Sequence, residues 1–160
     1  MPLLSPTVRS LRSSDRAAVE SVLHAAGVFR DDEIRTALAV FDAADQDFDY
    51  HRLGGFLGDK LLGYVCYGPT PMTEATWHLY WIAVTAEAQR SGVGRALLEA
   101  VFAACQSAGA RLLTLEASGA PPSSTARAFY TALGFCEEAR IRHFYRPDDD
   151  VVHFVRRFTS

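Results

Sequence analysis

The residues whose types and spacing could do chemistry most directly are Gln89-Arg90-Ser91-Gly92-Val93-Gly94-Arg95-Ala96. They follow the apolar run Leu79-Tyr80-Trp81-Ile82-Ala83-Val84 and open a long amphipathic segment. A strand, a glycine-bearing turn and a helix start, in that order, make an anion site. Glycine has no Cβ to hold a ligand away from the backbone. The first N–H groups of a helix have no partner inside it, and the helix dipole adds about half a positive charge there. A phosphate or pyrophosphate is the natural occupant. Other glycine-rich loops fit worse. A dinucleotide fingerprint needs a third glycine where Leu97 stands, and a P-loop needs Gly-Lys-Ser/Thr. The plain alternative is a turn that only starts a helix.

The elements that must position this turn read as follows. Thr7 to Leu11 forms a strand. Ser13-Ser14-Asp15 supplies N-cap candidates for a helix to about Ala26, stopped by Gly27. Asp31-Asp32-Glu33 opens a second helix, with Ile34, Leu38 and Phe41 at helical spacing. Tyr50 to Leu57, Gly58-Asp59 and Lys60 to Tyr67 read as a hairpin, ended by Pro69 and Pro71. Thr76 to Thr85 is a strand. Arg90 to Ser107 is a helix, closed by Gly109, and Arg111 to Ala117 a buried strand. Ser123 or Ser124 caps a helix that Gly134 ends. Phe135 to Tyr145 and Val151 to Phe158 are strands joined through Pro147-Asp148-Asp149-Asp150. The order β-αα-βββ-α-β-α-ββ makes a mixed α/β fold.

Composition bounds the function. The 160 residues read as a single domain, 1–160, with 49% hydrophobic and 22% charged residues. A formal charge of −3 argues against nucleic acid as a partner. No apolar run approaches the roughly 20 residues that span a bilayer. Met1 to Arg16 lacks the apolar core of a signal peptide, so a cytoplasmic location and no membrane association are expected. Cys66, Cys105 and Cys136 are an odd count without CxxC spacing, and read as reduced thiols, with no metal site.

Gln89 to Gly94 resembles the acyl-coenzyme A signature Q/R-x-x-G-x-G/A of the GNAT acetyltransferases. Ala126-Arg127-Ala128-Phe129-Tyr130-Thr131-Ala132-Leu133-Gly134-Phe135 resembles that family's second signature, A-x-x-F/L-Y-x-x-x-G-F. The two lie in the family's order, and the element order agrees over nearly the whole chain. The resemblance implies a central sheet of about seven strands, splayed between the fourth and fifth and flanked by four helices. It implies acetyl-coenzyme A as cosubstrate, direct transfer to an amine in a ternary complex, and no metal. Ile82, Ala83 and Val84 would pair with the pantetheine arm. N–H groups of Arg90, Ser91, Gly92, Val93, Gly94, Arg95 and Ala96 would cradle the pyrophosphate, with Gln89 beside them.

The chemistry asks for three further groups. An amine with a pKa of about 10.4 needs about 4–5 kcal/mol to lose its proton at neutral pH, hence a general base. The thioester oxygen needs an N–H donor, by resemblance that of Val84. The leaving thiolate needs a proton, by resemblance from Tyr130. His78 is the candidate base or water-holder, standing where many relatives carry glutamate. Glu74 is the alternative base if the strand starts later; Tyr80 could hold a water, and Glu116 could hold a water, bind substrate or equally pair with a structural arginine. Ser123 stands where many relatives place an asparagine that orders coenzyme A or its loop, and Ser124 or Arg127 could replace that contact.

The acceptor is less legible. Asp31, Asp32, Glu33, Asp42, Asp45, Asp47 and Asp49 outnumber Arg30 and Arg35 before the second strand. That acidity either attracts a cationic amine or is a solvated helix end. Phe41, Phe48, Tyr50, Trp77, Tyr80 and Trp81 line a pocket or pack the core, and His143, Phe144 and Tyr145 border the site. The reading is an N-acetyltransferase acting on a small-molecule amine. The alternatives are a protein or peptide N-acetyltransferase, or a non-catalytic acyl-coenzyme A-binding module. The resemblance also admits a homodimer.

Overall fold

Helical spacing of apolar residues builds the first helix pair. In α1 (Arg16–Ala25) Val19, Val22 and Leu23 are buried, and in α2 (Asp31–Ala43) Ile34, Ala37, Leu38 and Phe41. Three acids in the first turn of α2 complement its dipole. The computed structural model describes residues 4–159. Met1–Leu3 of the N-terminal stretch, and Ser160, lie outside the described residues.

Seven strands form one sheet in the order β1-β2-β3-β4-β5-β7-β6. β1 (Thr7–Ser10), β2 (His51–Leu57) and β3 (Lys60–Pro69) are antiparallel. The β2–β3 turn is Gly58-Asp59, with Leu57 opposite Lys60. β4 (Thr76–Val84) is parallel to β5 (Leu112–Ser118) through Thr76↔Leu112, Trp77↔Leu113 and His78↔Thr114. β7 (Asp149–Arg157) pairs antiparallel with β5 and with β6 (Cys136–Arg146). The remaining helices are α3 (Val93–Ser107) and α4 (Ser124–Ala132). The element order is the one the sequence implies.

The chain divides into two compact units. The first holds the residues up to Pro69 and Leu79–Ala104; the second holds Thr70–His78 and the residues from Cys105 onward. In the first unit the start of α3 is seated on glycine. A Cβ at Gly55 would lie 2.8 Å from Val93 Cγ1, and one at Gly63 would lie 2.8 Å from both Val93 Cγ1 and Leu97 Cδ1. Val93 and Leu97 are fully buried there. In the second unit Leu113 and Leu115 are buried on alternate positions of β5, beside Tyr130, Phe135, Val151, Val152 and Phe154.

Several boundaries differ from the sequence reading by a residue or two, and three of the differences have a visible local cause. α3 starts at Val93, not Arg90, because Arg90 (φ 70°) and Gly92 (φ 90°) are left-handed and cannot continue a right-handed helix. Ser13–Asp15 is a 3-10 turn ahead of α1, and Asp15 acts from inside it, accepting the Arg12 N–H at 2.8 Å. β6 and β7 extend past their expected ends to pair Arg146 with Asp149, which leaves only Pro147-Asp148 as the turn. Cys66, Cys105 and Cys136 are free thiols. Burial pushes Cys66 and Cys105 each up to about 12, so both stay protonated.

Candidate active site

The glycine turn is built from the end of β4. Thr85 N–H donates to Leu62 O at 2.9 Å and fixes that end to β3. A 3-10 turn over Ala86–Ala88 follows, and Ser91 folds back on it, its N–H reaching Ala88 O at 3.0 Å and its hydroxyl bonding the same carbonyl. The first helical bond of α3 runs from Ala96 N–H to Gly92 O at 2.9 Å. Ser91 and Ala96 therefore already use their N–H groups. Among the described residues, the N–H groups of Arg90, Gly92, Val93, Gly94 and Arg95 have no backbone acceptor. Four of these open a helix of 15 residues, so unpaired donors and dipole coincide. Chemically this fits a pyrophosphate.

The side chains around the turn divide into floor and rim. Val93 is buried against the glycine floor, while Gln89, Arg90, Ser91 and Arg95 are exposed. Arg95 leans toward Glu99 at 3.6 Å, one turn along. An added Cβ at Gly92 would meet only Pro6 Cγ, at 3.6 Å, so the left-handed φ, not crowding, requires glycine there. Ile82 and Val84 are half-buried and Ala83 is buried.

The second unit carries a polar row across its strands. Nδ1 of His78 lies 2.6 Å from Thr114 Oγ1, and the Thr114 hydroxyl also reaches Trp77 O at 3.4 Å. Two residues along β5, Glu116 is registered opposite His153. Glu116 Oε1 lies 4.0 Å from His153 Nδ1. Burial lowers the His78 pKa below its ordinary value; Glu116 opposes that shift and His153 adds to it. Tyr145 is pushed up by burial, then by Glu116 and Asp149. The sequence reading missed His153, whose only signal is a strand register that a single sequence does not carry. Glu74 falls outside β4, and its carbonyl accepts Arg111 Nε at 2.8 Å. His143 serves the β6–β7 turn: its N–H donates to Asp150 Oδ1 at 3.0 Å, and its Nδ1 accepts the Asp148 N–H at 2.9 Å.

Tyr130 lies buried on α4, its ring against Phe129, Phe135 and Phe154 at centroid distances of 5.8–5.9 Å. Burial pushes its pKa up to about 12. Ser123 stands at the N-cap of α4 but makes no side-chain capping bond, contrary to the expectation that it caps. Arg127 instead donates from Nη1 to Ser118 O and Ala120 O, both at 2.8 Å.

Much of the acidic stretch is neutralised within its own unit. Asp42 pairs with Arg16, Asp32 and Glu33 with Arg30, and Asp45 with Arg52. Asp47 Oδ1 accepts the Asp49 N–H at 2.9 Å. Phe41 is core, the Tyr50 and Tyr80 rings lie tilted with centroids 5.1 Å apart, and Phe48 is exposed. Among the described residues no helix is long and apolar enough to cross a membrane.

A parallel β4–β5 pair and an open helix N-terminus after β4 mark an acyltransferase-type fold. Residues 17–135 match the model of the acetyltransferase (GNAT) family, and the chain belongs to that family. It is similar to the [ribosomal protein bS18]-alanine N-acetyltransferase of Escherichia coli (strain K12), 42% identical over 79 residues. That stretch covers 49% of this chain and 50% of the relative, about half the length of each. A solved GNAT-family protein from Desulfovibrio desulfuricans superposes with a TM-score of 0.89 at 37% identity, covering 96% of this chain and 99% of that one. The PaiA N-acetyltransferase of Thermoplasma acidophilum, solved in complex with coenzyme A, shares the fold with a TM-score of 0.73 at 17% identity, covering 97% and 100%.

Proposed function

We propose that this chain, as one domain, transfers acetyl from acetyl-coenzyme A to the α-amine of a protein or peptide N-terminus. The unpaired N–H groups at the start of α3 carry the cosubstrate reading. The likeness to a ribosomal-protein-alanine enzyme supports a protein acceptor over the small molecule expected from sequence. Bound acetyl-coenzyme A supplies the acetyl thioester. Gly92, Val93, Gly94 and Arg95, with Arg90, hold its pyrophosphate through backbone N–H groups. Ile82–Val84 offer backbone to its arm, and the Val84 N–H serves the carbonyl oxygen.

Proton handling falls to the second unit. With Nδ1 taken as the donor to Thr114 Oγ1, 2.6 Å away, the Thr114 hydroxyl turns to Trp77 O and the basic lone pair of His78 falls on Nε2. Its depressed pKa makes it neutral at pH 7 but a weak base. That weakness suits an α-amine. With a pKa of about 7.7–8.0, such an amine loses its proton at pH 7 for only about 1 kcal/mol, against about 4–5 for an alkyl amine. Glu116 lies in the same polar row and orders the incoming ammonium or a water. Tyr130 keeps its proton at every working pH. Full transfer from a phenol at about 12 to a thiolate near 8.5 would cost about 5 kcal/mol, so its hydroxyl acts by hydrogen-bond donation.

The test is thiol release from acetyl-coenzyme A with peptides bearing N-terminal alanine, alongside free amino acids and polyamines. Preferred turnover of peptides, with mass spectrometry placing acetyl on the α-amine, is the expected result. Turnover of polyamines alone would return the small-molecule reading.

A further inference from the structure

The loop from β5 to α4 is fastened by side chains from both of its neighbours. From β7, Asp149 Oδ1 accepts the Ser118 hydroxyl at 2.5 Å, and Asp150 O accepts the Gly119 N–H at 2.9 Å. Within the loop, the Ala120 N–H donates to Ser118 Oγ at 3.1 Å. From α4, one nitrogen of Arg127 reaches two carbonyls, Ser118 O and Ala120 O. Arg127 is half-buried as a residue, and its two carbonyl bonds hold it in this bracket. The ordinary device for fixing a helix start, an N-cap side-chain bond, is absent at Ser123.

Arg127 stands three residues before Tyr130, on neighbouring positions of one helix face. The helix rises about 4.5 Å between them. Whatever fixes Arg127 against the end of β5 therefore fixes the height and rotation at which α4 presents the Tyr130 side chain. We infer that Arg127 is a positioning residue for Tyr130, its two-carbonyl bracket doing for α4 what a capping side chain does elsewhere. The inference rests on the acetyl-transfer reading above, because it takes the Tyr130 hydroxyl as the group that must be aimed. Both bonds leave from Nη1, whose two N–H groups are held in the guanidinium plane; an ammonium is a point charge on a freely turning stem and reproduces them only in part.

The experiment is a double-mutant cycle in the full chain, using Arg127→Met, Tyr130→Phe and both together, with Arg127→Lys as a milder variant. kcat, the KM for acetyl-coenzyme A and Tm are read for each. The expected pattern is a roughly tenfold loss of kcat in Arg127→Met, a smaller loss in Arg127→Lys, and a KM changed less than about threefold. The double variant should be no slower than Tyr130→Phe alone, because the aim of a missing hydroxyl no longer matters. Losses that multiply would overturn the inference, as would a wild-type kcat in Arg127→Met. A second readout needs no turnover. The 19F resonance of 3-fluorotyrosine at position 130 should shift in Arg127→Lys, even if Arg127→Met fails to fold, and an unmoved resonance would also overturn it. A wild-type chain that binds acetyl-coenzyme A but acetylates no amine would sink the acetyl-transfer reading instead, and the resonance would still report on the bracket.

Discussion

Nδ1 of His78 and Oγ1 of Thr114 stand 2.6 Å apart, across the His78↔Thr114 pair of the β4–β5 register. Where Nδ1 carries the proton, the Thr114 hydroxyl accepts its hydrogen bond and donates on to Trp77 O, so the pair couples tautomer to orientation. With the His78 pKa lowered by burial, kcat/KM should rise with pH along a limb centred below 6.5 and then level. His78→Ala should remove that limb and slow turnover about 100-fold. Thr114→Val should keep the limb but displace it, with a loss of several-fold. A wild-type pH profile in His78→Ala would dismiss His78 as base and leave Glu116→Gln as the next variant.

The same residue has a stability signature. The folded state holds His78 deprotonated below the unfolded pKa of about 6.5, so the unfolded chain binds more protons in that window. Stability should fall as pH drops from about 6.5 through the lower folded pKa, and be unaffected by His78 above it. Urea melts at pH 7.5 and 5.5 check this. His78→Ala should narrow the difference between the two, and an equal difference would contradict it.

Tyr130→Phe keeps the ring among Phe129, Phe135 and Phe154 and removes only the hydroxyl. Tm should hardly move, and acetyl-coenzyme A should bind as before. Because the hydroxyl acts by donation, kcat should fall about 10- to 100-fold. Coincident kinetic profiles for the two proteins would leave Tyr130 a packing residue.

What was legible in the sequence and what was not divides along physical lines. The helical faces of α1 and α2, the Gly58-Asp59 turn and the glycine turn before α3 are local, and each follows from a few neighbouring residues. The left-handed Arg90 is also local, but no residue preference announces it, and it moved the helix start to Val93. Register is the non-local part. Reading Pro147–Asp150 as the turn hid the Arg146↔Asp149 pair of β6 and β7, and the separate β5–β7 ladder that sets Glu116 opposite His153 joins residues far apart in sequence. The glycine floor under α3 was hidden for the same reason: Gly55 and Gly63 have meaning only once Val93 and Leu97 rest on them. The ion pairs of the acidic stretch were not legible because two of its arginine partners, Arg16 and Arg52, lie far from it in sequence or in a different element.

That floor makes a prediction about cosubstrate binding. In Gly63→Ala the new Cβ must displace the ends of Val93 and Leu97, the residues that set the first turn of α3. Overpacking of this kind costs about 1–3 kcal/mol. The KM for acetyl-coenzyme A should rise more than kcat falls, because the displaced turn is the one with unpaired N–H groups. Gly92→Ala has open space but the wrong φ, so it should cost about 1–2 kcal/mol of conformational strain. Calorimetric titration with coenzyme A separates the two: both should bind more weakly, and unchanged affinity in both would remove the turn from the cosubstrate's site.

Arg52 offers the largest expected loss outside the chemistry. Its guanidinium donates to Leu11 O at 3.1 Å, Phe41 O at 2.7 Å and Asp45 Oδ1 at 2.5 Å, and it lies 4.2 Å over the Phe41 ring. Its side chain is only 8% exposed, while Asp45 is 36% exposed. Arg52→Ala would take a donor from Leu11 O and from Phe41 O, the latter keeping only the Ala44 N–H at 3.3 Å, and leave a hole beside buried Phe41, at about 2–4 kcal/mol. In a chain of this size that lowers Tm by on the order of 10 °C. Arg52→Lys keeps the charge but not the fork, and should recover less than half of the loss. Asp45→Ala, whose carboxylate is partly in water, should cost less than about 1 kcal/mol. The ranking Arg52→Ala, Arg52→Lys, Asp45→Ala follows from backbone carbonyls, not the ion pair, being the main partners. Equal Tm losses in Asp45→Ala and Arg52→Ala would reverse that assignment and make the ion pair the tie between β2 and the end of α2.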